Sequence, residues 1–226
     1  MLMDNELSVR RFLGTDYESN CYIVFNKITK KSIIIDPNDF KQLEQFIKKQ
    51  GLTNEYIFLT HEHYDHVAAL SLVKKYIGGI IVSSEMCSQE LGNVQTLLNR
   101  TYRLHMMFMG NKKTEIPYFQ PSKVDKTFQD FLEIKWENSD ILLKETIGHS
   151  RGSVSIYFTD EMIFSGDAFL SGKPVITKML GGNKEDYLNS TLAYYESLSK
   201  DIKVYPGHGE MFILKDKRVG LIENNK

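Results

Sequence analysis

The sequence predicts an α/β domain in which two packed β-sheets are covered by helices. Apolar β-type runs recur in two groups along the chain, helical patterns stand between and after them, and no repeat, linker or low-complexity tract divides the 226 residues. A chain of this length can bury a substantial core. We therefore predict a single domain over residues 1–226.

The first half of the chain alternates strands and helices. Its predicted strands are residues 8–12, 21–26, 32–36, 56–60 and 80–83. Residues 40–50 form a predicted helix, because three apolar residues recur there at helical spacing and Gly51 follows as a C-cap. A second helix is predicted from about His66 to Tyr76, ended by a Gly-Gly pair.

The second half begins with a segment of different texture. Residues 84–127 read as a helical insertion followed by a loop that contains Pro117 and Pro121. Four strands are predicted after it, at residues 131–137, 141–147, 154–158 and 162–165. A helix that carries Tyr187 and Leu198 follows, and a short strand at 203–205 completes the pattern.

Composition excludes several function classes. The 28 Lys and Arg residues against 29 Asp and Glu give a net charge of −1, which offers no field for a polyanion, so no nucleic-acid partner is expected. We expect an untargeted cytoplasmic protein with no membrane span, because neither a signal peptide nor a long apolar run is present. Cys21 and Cys87 are too few for a disulfide framework and are predicted to be buried. The sequence leaves open whether the protein forms a homo-oligomer.

The stretch THEHYDHVAAL, residues 60–70, places three histidines and an aspartate within six positions. Extended geometry at the end of the preceding strand would put His61 and His63 on one face, and Asp65 and His66 lie where the chain turns into a helix. The carboxyl ends of strands are where α/β folds open their sites. Neutral imidazoles and a carboxylate are ligands that zinc prefers.

Three further candidate ligands follow apolar strands, each in a turn rich in glycine. They are His149 in TIGHSRGS, Asp167 in IFSGDAF and His208 in YPGHGE. Each is weak evidence alone, but together with the first motif they give five imidazoles and two carboxylates. This set is enough for two divalent metal ions that share one bridging carboxylate. Zinc is the expected metal, with iron or manganese as alternatives.

The order HxHxDH, GHS-x-GS, GD and GHG resembles that of the metallo-β-lactamase superfamily over about residues 8–210. The resemblance implies a four-layer αββα sandwich, two mixed sheets flanked by helices, with the site at one edge of the sheets. It also implies a first metal held by three imidazoles, those of His61, His63 and His149. The implied second metal has two imidazoles and a carboxylate as ligands, from Asp65, His66 and His208, with Asp167 bridging the two ions.

Asp36, which ends SIIID, matches another acid of the superfamily. The resemblance implies that it orients the site from behind the ligands. A plain Asp-Pro turn is the alternative.

Within the superfamily, the motifs look most like those of glyoxalase II, a hydroxyacylglutathione thioester hydrolase. Only 18 residues follow His208, too few for the helical C-terminal domain of that enzyme, and the segment after Asp167 lacks its Gly-Cys-Gly-Arg type of stretch. We therefore expect a small-molecule thioester, ester or lactone as substrate, with no commitment to glutathione. A hydroxide bridging the metals would attack it, and Asp65 would orient that nucleophile and pass on a proton.

Other activities stay open as alternatives. A single-iron persulfide dioxygenase has similar ligand motifs, but it is expected to carry an Arg-rich stretch after its GD motif. A phosphodiesterase is disfavoured by the absence of a basic excess. Flavin-linked di-iron proteins replace the second histidine of the first motif with an acid, whereas His63 is retained here. The complete ligand set also argues against a protein that has lost its activity.

The stretch 97–109, rich in methionine, has two interpretations. It forms either an adaptable apolar lid over the substrate or a simple packed helix, and the packed helix is favoured.

Overall fold

The computed structural model describes residues 6–216 apart from 16, 109, 111–114, 159–160, 171 and 180. In this part of the chain, twelve strands form two six-stranded sheets in which spatial neighbours are neighbours in sequence. Residues 7–128 build one sheet and residues 131–213 build the other. Helices flank both sheets, so the predicted αββα sandwich is confirmed.

Sheet one spans residues 7–128. Its strands are β1 (Leu7–Leu13), β2 (Asn20–Asn26), β3 (Lys31–Ile35), β4 (Thr53–Phe58), β5 (Ile80–Ser84) and β6 (Lys126–Phe128). The pairs β1–β2 and β2–β3 are antiparallel, whereas β3 to β6 run parallel. The short edge strand β6 was not predicted from the sequence.

Sheet two spans residues 131–213. Its strands are β7 (Phe131–Trp136), β8 (Ser139–Glu145), β9 (Val154–Phe158), β10 (Met162–Gly166), β11 (Lys203–Pro206) and β12 (Phe212–Ile213). Pairing is antiparallel except between β10 and β11, which run parallel. As a result β8, β10 and β11 all point the same way and end at the same edge of the sheet.

The helices fall into two sets. The first set is α1 (Phe40–Gln50), α2 (Tyr64–Val67), α3 (Leu70–Tyr76), α4 (Glu85–Glu90) and α5 (Val94–Phe108), with a 3₁₀ turn at Leu91–Asn93. The second set is α6 (Lys184–Asp186), a π-helical stretch at Tyr187–Leu192, and α7 (Ala193–Ser197). Another 3₁₀ turn occupies Leu214–Asp216.

The apolar side chains separate into three layers, because alternate residues of a strand point to opposite faces. On β2, Val24 packs between the two sheets with Trp136 and Phe158 of sheet two, whereas Ile23 faces α1 and α3 on the outside. A third cluster, which includes Tyr195, packs the second helix set on the outer face of sheet two. The core therefore runs on both faces of each sheet.

Helix α1 has the bounds that the sequence predicts. The carboxylate of Asp39 accepts the amide of Gln42 and caps its start. Gly51 ends the helix with φ 64°, a left-handed conformation that glycine adopts at little cost.

The predicted single helix from His66 to Tyr76 was wrong, because the structure has two short helices, α2 and α3. The hydroxyl of Ser19 donates to the carbonyl of Asp65 at 2.6 Å, and the amide of Ala69 donates to the carbonyl of Pro37 at 2.9 Å. In a continuous helix, the amide of Ala69 would instead donate to the carbonyl of Asp65. Loops that follow β1 and β3 thus interrupt the helix beside the predicted ligands.

The segment 84–127 contains helices α4 and α5, as its pattern predicts. Helix α5 buries Val94, Leu98, Tyr102 and Met106 at helical spacing against sheet one and its helices. This packing favours the packed-helix interpretation of residues 97–109. Met109 and several neighbouring side chains lie outside the described residues.

Cys21 and Cys87 are both fully buried and free, which confirms the prediction for them. No helix among the described ranges is both long and apolar enough to cross a membrane.

Candidate metal centre

The seven predicted ligands converge at one edge of the sandwich. His61, His63, Asp65 and His66 follow β4 of sheet one. The other three follow strands of sheet two that point the same way, with His149 after β8, Asp167 after β10 and His208 after β11. Residues separated by almost 150 positions therefore meet because both sheets present the carboxyl ends of these strands at the same edge.

The first group consists of His61, His63 and His149, which are all buried. One nitrogen from each ring lies within 4.8 Å of the others. Nε2 of His149 faces Nδ1 of His63 at 3.0 Å. These are the three imidazoles predicted to hold the first metal.

The second group consists of Asp65, His66 and His208. Oδ2 of Asp65 lies 3.3 Å from Nε2 of His66 and 3.2 Å from Nε2 of His208. The carboxylate of Asp65 keeps 16% of its side-chain surface exposed, so the group opens toward solvent on that side.

Asp167 lies between the two groups. Its Oδ1 is 3.6 Å from Nε2 of His66 in the second group, and its Oδ2 is 3.6 Å from Nε2 of His149 in the first. Oδ2 is also 3.6 Å from Nε2 of His208. One oxygen of Asp167 thus faces the second group, and the other lies near both groups.

Hydrogen bonds from behind set which nitrogen each ring presents. Nδ1 of His149 donates to the carbonyl of Ile176 at 2.8 Å, and Nδ1 of His66 donates to Oδ2 of Asp36 at 3.0 Å. Nδ1 of His61 lies 3.0 Å from the hydroxyl oxygen of Thr60. Each of these rings therefore turns the lone pair of Nε2 toward the centre, as a metal ligand must.

The donor set fits divalent metal ions on the chemistry of its atoms. Six buried side-chain atoms in the described structure have no hydrogen-bond partner, and three of them belong to this cluster: Nε2 of His61, Nε2 of His66 and Oδ1 of Asp167. Buried polar atoms are rarely left unpaired in folded proteins. All three point into the same cluster, which a pair of cations would satisfy.

Protonation differs between the two groups. Burial, together with the neighbouring imidazoles, lowers the pKa of His61 and His149, and it lowers the pKa of His63 to about 3. Burial also acts to lower the pKa of His66 and His208, but the carboxylates of Asp65 and Asp167 outweigh it and raise both. The first group is therefore neutral near pH 7, and the second holds protons more tightly.

Asp36 is buried behind the second group. Its Oδ1 accepts the amide of Thr60 at 2.7 Å and its Oδ2 accepts the hydroxyl of Thr60 at 2.5 Å. Asp36 also forms a donor cluster with His61 and His66, but its two oxygens are engaged by Thr60 and His66. This position suits the orienting role that the resemblance implies.

Strand β2 holds the turn that carries His208. The amide of Asn20 donates to the carbonyl of Gly207 at 2.6 Å, and the hydroxyl of Tyr22 donates to the carbonyl of Pro206 at 2.7 Å. The side-chain amide of Asn20 reaches the carbonyls of Pro206 and Gly209. Neither Asn20 nor Tyr22 was predicted from the sequence, because nothing local to them marks a contact with a turn almost 190 residues later.

Glu62 was also missed, although it lies inside the first motif. Its side chain is only 5% exposed and accepts the hydroxyl of Ser150 at 3.0 Å. Burial raises the pKa of Glu62 to about 7. The alternation of side chains at a strand end was the available signal, because it directs Glu62 away from the face that His61 and His63 share.

The start of α5 borders the first group. Val94 and Leu97 line a small cleft together with His63, Glu62 and Glu90. The helix thus contributes apolar surface beside one predicted ligand while its other face packs in the core.

Comparison with known proteins agrees with this site. The family model of the metallo-beta-lactamase superfamily matches residues 14–208. The chain is 29% identical over 202 residues to the probable metallo-hydrolase YqgX of Bacillus subtilis, covering 88% of this chain and 89% of that protein. It is 26% identical over 215 residues to the hydroxyacylglutathione hydrolase GloC of Haemophilus influenzae, with 94% and 96% covered.

Solved structures share the fold. The crystal structure of the BLEG-1 B3 metallo-beta-lactamase superposes with a TM-score of 0.73 at 23% identity, covering 92% of this chain and 95% of that one. Since the family model spans almost all of the described chain, this protein belongs to the metallo-beta-lactamase superfamily of metal-dependent hydrolases.

Proposed function

We propose that this protein hydrolyses a small-molecule thioester, ester or lactone with two divalent metal ions, zinc being the expected metal. The observation that carries the proposal is the convergence of five imidazoles and two carboxylates, three of whose buried donor atoms have no hydrogen-bond partner in the described structure. Such a set is typical of a metal pair rather than of a structural polar cluster.

Under this proposal His61, His63 and His149 would hold one ion, Asp65, His66 and His208 would hold the other, and Asp167 would be available to both. When bound, the metals would supply an activated water at neutral pH and would polarise the group under attack.

Side chains of the protein would transfer the proton of the attacking water and orient the imidazole rings. Asp65 is the candidate catalytic residue, since its carboxylate is partly exposed and lies beside Nε2 of both His66 and His208. Oδ1 of Asp65 is the atom that would take a proton from the attacking water and deliver it to the leaving group. Asp36 and Thr60 keep the rings of His66 and His61 turned toward the centre.

The substrate class is proposed from relatives and charge. The relative from Haemophilus influenzae is named for hydrolysis of a thioester, hydroxyacylglutathione. The net charge of −1 supports a small-molecule substrate rather than a nucleic acid. Two buried free thiols suit a reducing compartment, and we propose that the enzyme works in the cytoplasm.

A substrate screen with protein of known metal content tests the proposal. Thioesters, lactones, β-lactams and phosphodiesters are compared for the wild-type chain, for Asp65→Ala and for the control Asp140→Ala, which changes an exposed carboxylate on β8. We expect thioester or lactone turnover that falls at least about 100-fold in Asp65→Ala and is unchanged in the control.

Two outcomes would overturn the proposal. One is full hydrolytic activity in Asp65→Ala. The other is one iron per chain with oxygen uptake on a persulfide, which would assign the protein to the dioxygenases instead.

A further inference from the structure

The stretch HEHYDH contains one acid that the proposed chemistry does not use. Glu62 lies between His61 and His63, and only 5% of its surface is exposed. A carboxyl group removed from water is costly unless hydrogen bonds replace its hydration. The structure therefore has to supply partners for it at this place.

Those partners come from the turn that carries His149. The hydroxyl of Ser150 donates to Oε2 of Glu62 at 3.0 Å, and the backbone of Gly152 lies against the same carboxyl. Ser153 closes the turn, since its hydroxyl oxygen accepts the amide of Ser150 at 3.1 Å and lies 2.9 Å from the Ser150 hydroxyl. The turn is folded around the acid.

Gly152 shows how closely the two segments approach. A Cβ atom at this position would overlap Oε2 of Glu62 and lie 2.5 Å from Cα of Cys87. Glycine is therefore required for the carboxyl of Glu62 to reach the turn. The contact joins two segments that carry candidate ligands, since Glu62 and Ser150 are 88 positions apart in the sequence.

We propose that Glu62 is a positioning residue for the three-histidine group, acting through Ser150 to hold His149 in register with His61 and His63. The inference rests on the proposed function, because it assumes that these imidazoles bind a metal. Asp36 performs the corresponding task for His66 on the other side of the site. Glu62 thus helps to hold together the three-histidine group to which its neighbours His61 and His63 belong.

Titration of the metal-free full chain with Co²⁺, followed by visible absorption, tests this role. We expect the wild-type chain to bind two Co²⁺ ions. Glu62→Ala and Ser150→Ala should each lower the affinity for one of these ions at least about 10-fold and change the visible absorption of that ion. The affinity for the other ion should stay within about 3-fold of the wild-type value. Glu62→Gln keeps an oxygen that accepts the Ser150 hydroxyl and should restore most of the affinity. The double variant should be no weaker than either single one.

Two changes of the same kind far from the site serve as controls. Glu55→Gln alters a half-buried acid at the start of β4, and Ser32→Ala removes a buried hydroxyl from β3. Both should leave Co²⁺ binding unchanged.

The outcomes separate the inference from the proposed function. Suppose that the wild-type chain binds two Co²⁺ ions. Unchanged affinity in Ser150→Ala, or additive losses in the double variant, would then overturn the role of Glu62 but leave the proposed function standing. An equal loss of affinity for both ions would also overturn the role of Glu62. Absence of Co²⁺ binding by the wild-type chain would overturn both. If Glu62→Ala does not fold, Ser150→Ala and Glu62→Gln still decide.

Discussion

Asp36 and His66 are joined by a hydrogen bond of 3.0 Å between Oδ2 and Nδ1. Asp36 holds this position with φ 53°, a left-handed conformation that Asp and Asn adopt more readily than most residues. The same carboxylate accepts the hydroxyl of Thr60, which lies beside the ring of His61. One acid therefore orients a predicted ligand of each metal.

We expect Asp36→Asn to weaken metal binding about 10- to 100-fold, as loss of such a supporting hydrogen bond typically does. Asparagine keeps the backbone conformation but cannot offer acceptors at both oxygen positions. Metal content after dialysis against a chelator measures the effect. Asp130→Asn is the matched control, because Asp130 has φ 58° and is exposed. Wild-type metal retention in Asp36→Asn would contradict the assignment.

The two metals should leave at different pH values. The pKa of His63 is lowered to about 3 by burial, so protons do not compete for its ring until the solution is strongly acidic. Burial opposes protonation of His66 and His208 too, but the carboxylates of Asp65 and Asp167 raise their pKa above the usual value. Under the proposed function, we therefore expect protons to displace the ion of the second group first as the pH falls.

Metal bound per chain, measured across an acid titration, should decrease in two steps. The His208→Ala variant identifies the step at higher pH, since it should remove that step and leave the other. A single step in the wild-type chain, or loss of the lower step in this variant, would show the opposite order.

Gly207→Ala should weaken metal binding at Asp167, the carboxylate proposed to be shared by the two metals. A Cβ atom there would overlap Oδ1 of Asp167 and lie 2.8 Å from Cε1 of His66. Gly207 does not have a left-handed φ, so the effect is steric rather than conformational. We expect at least about a 10-fold loss of metal affinity, because supporting residues of metal sites have effects of this size.

Gly92→Ala is the control for this change, since the space around Gly92 is open and its φ is not left-handed. Its stability should stay within about 0.5 kcal/mol of the wild type. Equal metal binding in Gly207→Ala and Gly92→Ala would mean that Asp167 does not need its present position.

Two adjacent methionines test the packing of α5. Met106 is fully buried, whereas Met107 is 75% exposed. We expect Met106→Ala to lower the free energy of unfolding by about 2–5 kcal/mol and Met107→Ala to change it by less than about 0.5 kcal/mol. Urea unfolding measures both. Similar values for the two variants would argue that the helix is not fixed in the core.

The sequence was most informative where a local pattern carries the structure. Helix α1 and strand β9 have the predicted bounds, because amphipathic spacing and a glycine C-cap are local signals. The candidate ligand histidines were identified from local patterns too, since each belongs to a short motif that follows an apolar strand. The edge strands β6 and β12 are only three and two residues long, too short to show alternation.

Contacts between distant segments account for what the sequence did not predict. The interruption between α2 and α3 depends on Ser19 and Pro37, and neither residue carries a pattern that points to Asp65 or Ala69. The burial of Glu62 likewise depends on a turn that is remote in sequence. Such partners become visible only when the chain is folded.

The chain order of the two sheets has a consequence for when metal can be taken up. Sheet one supplies the ligands before residue 67, whereas His208 comes from the loop after β11, close to the end of the described chain. During synthesis the second group therefore stays incomplete until β11, the eleventh of the twelve described strands, has been made. Under the proposed function, two ions could be bound only after both sheets are made, and they would then link the two sheets.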